Sequence, residues 1–408
     1  MASLLLSLLC LAQEEDSVRA ETDSSDYITA SLLIMQPDPS SLITYYGHTA
    51  MRLQCPSAGL DYCFSFDSYA NGDFWALITG KDRTTLLPVA SSDFFRQYRQ
   101  QHRKVYEHEL NLTLEEERRL WQLIDHLVEQ GPYLQTDFLN HGCAGETASI
   151  ITSVIDGRVV YPATLNLMDD SQYEIIDRYM TEESWYELML SLFSGADSHR
   201  HLADNEEKLM LPTILEMIWK ETSIVTPDGG QRPIFAPKDM KVYDAPRMEE
   251  PASSVIRPWV VAALLLVLVV MITVSELCIG RMRLLSAITD GLLLAMQSSI
   301  GLVLSALMLC STLPTTGGWN WNIIVYNLVP LAVCICWLWR KPKARTKAVV
   351  YGTYSVVLIG FFAVMLACPM FFVQAQYFMH AAMLVRCLYL CYINYNTKTY
   401  KFTNLKTQ

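Results

Sequence analysis

The rhythm of apolar and polar positions changes near residue 258. Upstream, apolar residues alternate or recur at helical spacing. Downstream, long apolar runs follow one another near Pro258–Ile279, Leu292–Leu313, Ile323–Trp339, Ala348–Cys368 and Gln376–Ile393. The first four approach the length that spans a bilayer as helices; the fifth carries Arg386. The upstream pattern predicts a mixed α+β domain. Tyr27–Met35 reads as a strand, and from His48 the alternation of His48, Ala50 and Arg52 with Thr49, Met51 and Leu53 predicts another. Tyr62–Tyr69 is expected to pair with it as a hairpin. Phe74–Arg83 and Ser91–Gln101 look like short helices around the extended stretch T-T-L-L-P-V, and Lys104–Leu112 is a strand. Thr113 caps an amphipathic helix with Glu115, Glu116 and Glu117 in its first turn and Leu120, Trp121, Ile124, Leu127 and Val128 on its apolar side. Ser171–Met180, Glu182–Phe193 and Asn205–Lys220 are further expected helices. Within the last, Leu209–Trp219 is apolar enough for either a membrane surface or the core. The stretch 221–257, rich in proline, glycine and charge, reads as an ordered arm grading into a linker.

Basic residues refine this division. Arg281 and Arg283, the run from Arg340 to Lys347, and Lys398, Lys401 and Lys406 occupy alternate connections between the apolar runs, and the other connections carry no charge. Positive-inside reasoning puts residues 13–257 outside and the tail 396–408 in the cytoplasm. The opening M-A-S-L-L-L-S-L-L-C-L-A resembles an export signal over residues 1–12. The expected layout is therefore signal (1–12), periplasmic catalytic domain (13–220), arm and linker (221–257), transmembrane domain (258–395) and cytoplasmic tail (396–408), in a bacterial inner membrane. A net charge of −11 and a pI near 5.2 exclude a basic nucleic-acid-binding surface, and no phosphate-cradling glycine loop or solenoid repeat is present.

The candidate chemistry sits in N-H-G-C-A-G-E-T-A-S-I-I-T-S-V-I-D-G, from Asn140 to Gly157. Here Cys143 opens a helix that Gly157 closes, and the unpaired N–H groups and positive dipole end of a first turn favour the thiolate. A nucleophilic cysteine needs a base and a group to orient that base. His48, on a strand after Gly47, is the best base among the eight histidines. Asp67 on the neighbouring strand is the expected orienter and Ser65 the alternative. Ser65, Tyr46, Arg52 and Tyr69, with Arg386 in the membrane half, are expected to contact substrate. Cys55 and Cys63 flank the hairpin turn and are disulfide candidates, which would leave Cys143 the odd thiol of the exported part. No metal or cofactor is expected.

The motifs Y-Y-G-H-T-A-M-R-L, Y-C-F-S-F-D-S-Y, E-L-N-L-T-L-E-E-E-R-R-L and G-C-A before a helix, continuing through E-E-K-L-M-L-P-T-I-L-E and G-W-N-W-N-I-I-V-Y-N-L-V-P, resemble the bacterial lipoprotein N-acyltransferases of the Bacteroides type, the Lnb family. The resemblance covers nearly the whole chain. It implies a circularly permuted papain-like domain, with the histidine strand before the cysteine helix, followed by five transmembrane helices. It also implies a Cys–His pair that maps onto Cys143 and His48. The chain reads H-G-C-A-G-E where the broader family pattern is D-N-C-A-T-R. The implied partners of this monomer are a membrane phospholipid as acyl donor and a diacylated lipoprotein N-terminus as acceptor, with no nucleic acid. The alternative is a membrane-anchored thiol hydrolase (phospholipase, amidase or peptidase) using the same dyad.

Overall fold

Alternation in the first strands builds a sheet whose two faces are both covered. The computed structural model describes residues 28–38, 44–68, 75–76, 79–131, 134–135, 142–166, 170–180, 184–202, 204–246, 256–280 and 282–396. The expected signal, Tyr69, His141, the linker at 247–255 and the tail from 397 lie outside them. Two compact units divide the chain: Met1–Asp170 with His201–Glu249, and Ser171–Arg200 with Glu250–Gln408.

The first unit is α+β. Its strands are β1 (Thr29–Met35), β2 (His48–Cys55), β3 (Leu60–Ser68), β4 (Arg83–Ala90), β5 (Val105–Glu109), β6 (Leu134–Gln135) and β10 (Lys241–Tyr243), in the antiparallel order β10-β5-β1-β2-β3-β4-β6. Between them stand α1 (Ser91–Gln100), α2 (Leu114–Gln130) and α3 (Cys143–Ser153). On one face Leu33, Met35, Ala50, Cys63 and Val105 pack against Phe94 and Tyr98 of α1. On the other, α3 lies against β2. The capping box at Thr113 and Glu116 starts α2. Glu116, fully buried, also accepts from Arg232 at 2.5 Å and from the Asp156 N–H at 2.7 Å. Those contacts tie α2 to the small sheet β7 (Arg158–Val160), β8 (Ser223–Val225) and β9 (Gln231–Pro233).

Two expected helices change. Within Phe74–Arg83 only Trp75–Ala76 is helical among the described residues, and Arg83 begins β4. Asn205–Lys220 is interrupted: a 3-10 turn at Glu207–Leu209 precedes α6 (Pro212–Trp219). Pro212 lacks the N–H that a continuous helix needs, and it is tolerated in the first turn. Leu209, Leu215 and Trp219 are fully buried, so this apolar stretch is core.

The second unit is helical. It contains α4 (Gln172–Arg178), α5 (Trp185–Phe193), α7 (Pro258–Cys278), α8 (Arg283–Cys310), α9 (Val329–Trp339), α10 (Ala344–Ala367) and α11 (Gln374–Tyr395). Among the described residues three helices are long and apolar enough to cross a membrane: Pro258–Cys278, Leu284–Cys310 and Ala344–Ala367. The run expected as one span from Ile323 is broken: Thr315–Ile324 and Val329–Trp339 meet at 56°. Pro330 confines α9 to starting there, and Asn327 Oδ1 accepts the Val329 N–H at 3.0 Å. Helix α11 has the length of a span, but Gln374, Gln376, His380 and Arg386 dilute its apolar character. Only 2% exposed, Arg386 pairs with Glu276 at 2.6 Å and Asp290 at 2.5 Å, so its expected substrate contact is replaced by an internal ion cluster.

Candidate active site

The turn before β2 aims the histidine. Gly47 has φ +87°, and a Cβ there would fall 2.5 Å from the Met35 carbonyl oxygen, so only glycine fits. His48 follows as the first residue of β2, opposite Met35 of β1. Cys143 is the first residue of α3, behind Gly142, an N-cap without a side chain to occupy the first-turn N–H groups.

These two side chains meet. The imidazole and the thiol share a hydrogen bond, and Thr49 donates to the sulfur from both its hydroxyl and its backbone N–H. Burial opposes the thiolate. The charge and hydrogen bond of His48 and the two Thr49 donors outweigh it, and bring Cys143 down from the ordinary thiol value to about 7. Burial likewise opposes the imidazolium, but the Cys143 thiolate and the more distant Asp67 carboxylate hold its pKa above 6.5. The result is a pre-activated thiolate next to a proton carrier, the arrangement that acyl transfer through a covalent intermediate requires.

Asp67 lies across the sheet from His48. The pairing of Ala50 with Ser65 carries the register on to this pair. Among the described residues, the hydrogen bond that Asp67 makes is with the Ser65 hydroxyl at 3.1 Å, and it acts on the imidazole through charge. Ser65 is buried and holds Asp67. Tyr46 is half-buried in the turn before Gly47, its ring tilted on Tyr45.

Two expectations are overturned here. Cys55 and Cys63 are both free. Register explains why: Cys55 pairs with Leu60 and Cys63 with Arg52, which puts the two thiols on opposite faces of the sheet. Each instead lies 3.3 Å from a serine hydroxyl, Ser57 and Ser91 respectively. Arg52 is not available to substrate. Its guanidinium, on the α1 face, is bidentate to Asp61 at 2.8 and 2.7 Å and donates to Glu107 at 3.0 Å and to the Tyr243 hydroxyl at 2.9 Å.

Residues 15–171 match the family model described as the Lnb N-terminal periplasmic domain, and residues 250–398 match the Lnb transmembrane domain. The chain belongs to the Lnb family. No curated protein and no solved structure matches it. As an Lnb-family protein it is a membrane protein with a periplasmic region, and membership suggests an enzyme of the lipoprotein N-acyltransferase type.

The Lnb site also includes groups that sequence reasoning passed over. Thr49 is one; Thr147, a turn along α3, supports it through a hydroxyl pair at 3.4 Å. Its signal is the triplet G-H-T, where the residue after the histidine faces the cysteine helix. Arg103 is the other. It is 5% exposed, donates from Nε to the Gln36 carbonyl at 2.9 Å and lies 5.1 Å above the Tyr98 ring, while its Nη2 has no hydrogen-bond partner among the described residues. Its charge interacts with Cys143 and His48. His102, with φ 56°, makes the left-handed turn that returns Arg103 under the sheet end. Nothing in a basic residue before a strand distinguishes it from a solvated one.

Proposed function

We propose that this Lnb-family protein moves an acyl chain from a membrane phospholipid, through a thioester on Cys143, to the α-amino group of a diacylglyceryl-cysteine at a lipoprotein N-terminus. The observation that carries the reading is the Cys143–His48 hydrogen bond at the start of α3, reinforced by Thr49, in a chain whose two halves match the two Lnb domains. In the first step the Cys143 thiolate attacks the ester carbonyl. The backbone N–H of Cys143 and a neighbouring donor steady the oxyanion, and His48 gives its proton to the departing lysophospholipid oxygen. In the second, the amine attacks the thioester, His48 takes its proton, and the amide leaves the thiolate free. Asp67 holds the charge of the imidazolium, and Tyr46 contacts substrate beside it.

The reading extends to architecture. A histidine strand that precedes the cysteine helix is the order of a circularly permuted papain-like domain. Five spans, counting α9 with its bent partner and α11, would leave the C-terminus in the cytoplasm of an inner-membrane monomer. Both substrates are lipid-anchored, so tethering the domain raises their effective concentration at the thiol. The test is mass spectrometry of purified protein incubated with phospholipid. A hydroxylamine-sensitive acyl adduct on Cys143, absent from Cys143→Ala and discharged by a diacylated lipopeptide, is expected. Release of free fatty acid with no lipopeptide acylation would overturn the transfer and leave a thiol hydrolase.

A further inference from the structure

A cavity of about 520 Å3 lies inside the helical unit, walled by α8, α9, α10 and α11. Helix α9 is apolar throughout, yet none of its residues is buried, so it stands off from its neighbours. Pro330, Val333, Cys334 and Trp337, at spacings of three and four, form the stripe that it turns to the cavity. Val349, Val350, Thr353 and Val357 of α10 line the facing wall. The polar groups in the wall are already answered within the unit. Asp290 accepts from Arg386, while the Tyr354 hydroxyl and Gln297 Nε2 donate to the Val325 carbonyl at 2.7 and 2.8 Å. Among the described residues no buried side-chain nitrogen or oxygen of the wall lacks a hydrogen-bond partner. What the cavity still offers an occupant is apolar contact.

Depth and charge narrow that occupant. On α10 the wall runs from Val349 to Val357, about 12 Å along the axis at about 1.5 Å per residue. That is less than half the roughly 30 Å that a spanning helix covers, and close to the hydrocarbon depth of one leaflet. A partner helix is too long for it; one acyl chain is not. The end of the cavity at Trp337 is cationic. Lys347 Nζ lies 5.5 Å from the centroid of the Trp337 ring, and the connection from α9 to α10, R-K-P-K-A-R-T-K, holds Arg340, Lys341, Lys343, Arg345 and Lys347 with no acidic residue. We propose that this cavity takes one acyl chain of an anionic phospholipid, whose phosphate lies on the basic connection beside Lys347. On the topology proposed above, that connection faces the cytoplasm. The lipid then belongs to the leaflet away from the periplasmic thiol, and it serves the helical unit as a bound component, not as the acyl donor.

The test uses full-length Cys143→Ala protein, which cannot form an acyl-enzyme, so success or failure of the proposed transfer does not enter the readout. Released from mixed phosphatidylglycerol–phosphatidylethanolamine nanodiscs and analysed by native mass spectrometry, it is expected to retain phosphatidylglycerol over phosphatidylethanolamine by about tenfold. Replacing Lys343, Arg345 and Lys347 together by glutamine should bring that ratio close to one. Val333→Trp and Val350→Trp, which fill the cavity from opposite walls, should each abolish the retained lipid. Location is read independently of any variant. A phosphatidylglycerol with a diazirine on one acyl chain should label residues 329–337 and 349–357, and excess phosphatidylglycerol, but not phosphatidylethanolamine, should suppress the label. Equal retention of the two lipids, labelling confined to other segments, or lipid retained unchanged by both tryptophan variants overturns the proposal. So does a protein that retains no lipid and appears as a dimer that either tryptophan variant dissociates, because a second copy would then occupy the cleft.

Discussion

Thr49→Val isolates the sulfur's most specific support. The valine keeps the shape of the side chain and the backbone N–H, and deletes the hydroxyl that donates to Cys143 Sγ. A hydrogen bond to a charged group is worth roughly 1.5–3 kcal/mol, and one pKa unit corresponds to about 1.4 kcal/mol. The thiol should therefore titrate about one to two units higher than its present value near 7. At pH 7 the thiolate fraction should fall from about one half to between about one tenth and one hundredth, a loss of about five- to fiftyfold. The assay is the pH dependence of Cys143 alkylation by iodoacetamide, read by mass spectrometry on peptide 142–153, with thermal unfolding as the control. Thr147 also loses its partner at 3.4 Å, so a fall in stability of about 1 kcal/mol is expected alongside. A midpoint that stays near 7 in a folded Thr49→Val protein would show that the hydroxyl adds nothing to what His48 and the backbone N–H of residue 49 supply, and the reasoning about the Thr49 hydroxyl would be wrong.

Three further outcomes follow from the same residues. Arg52→Met should destabilise the folded protein by about 3 kcal/mol, because it leaves the buried Glu107 with only the Tyr243 hydroxyl at 2.6 Å and the exposed Lys241 at 3.9 Å; a lowered Tm with unchanged KM separates this from loss of a substrate contact. Glu117→Gln should stabilise at pH 8 but not at pH 4. Burial, then Glu109 and Glu116, raise this carboxyl from 4.5 to about 7, so the native state loses stability as pH rises through that window, by about 1–2 kcal/mol once solvent screening is allowed for. The difference in Tm between the two proteins, taken across pH 4–8, reads the sign directly. Reductant should leave Tm unchanged. Cys63, whose thiol burial pushes up to about 12, should react with maleimide only after denaturation.

Local pattern and register carried different amounts of this structure. His48 and Cys143 were legible because each is announced by backbone requirements: a glycine that must adopt positive φ before one, and a helix start at the other. The capping box at Thr113 was legible for the same reason, being a contact three residues long. Arg52 and Cys63 were misread because their fates depend on pairing across β2 and β3. Only the register reveals that Cys63 faces Arg52 while Cys55 faces the other side. Asn205–Lys220 was misread where Pro212, visible in the sequence, outweighs the apolar spacing around it.

Arg386 shows where a stricter physical reading goes further than spacing. A guanidinium cannot stay unpaired inside an apolar helix, and snorkelling requires that its side chain reach the interface. Arg386 lies in the interior of α11, nine residues before Tyr395, at which that helix ends. At a rise of about 1.5 Å per residue that is more than one side-chain length from the helix end. The anions that answer it were already present: Glu276 near the end of α7 and Asp290 in the first third of α8, both acidic residues in apolar surroundings. Matching buried cations with buried anions predicts that α7, α8 and α11 converge, and the salt bridges of 2.6 and 2.5 Å join those three helices. The cluster is therefore a fixed joint of the helical unit, and Arg386→Leu should unseat it by leaving Glu276, fully buried, without its cation.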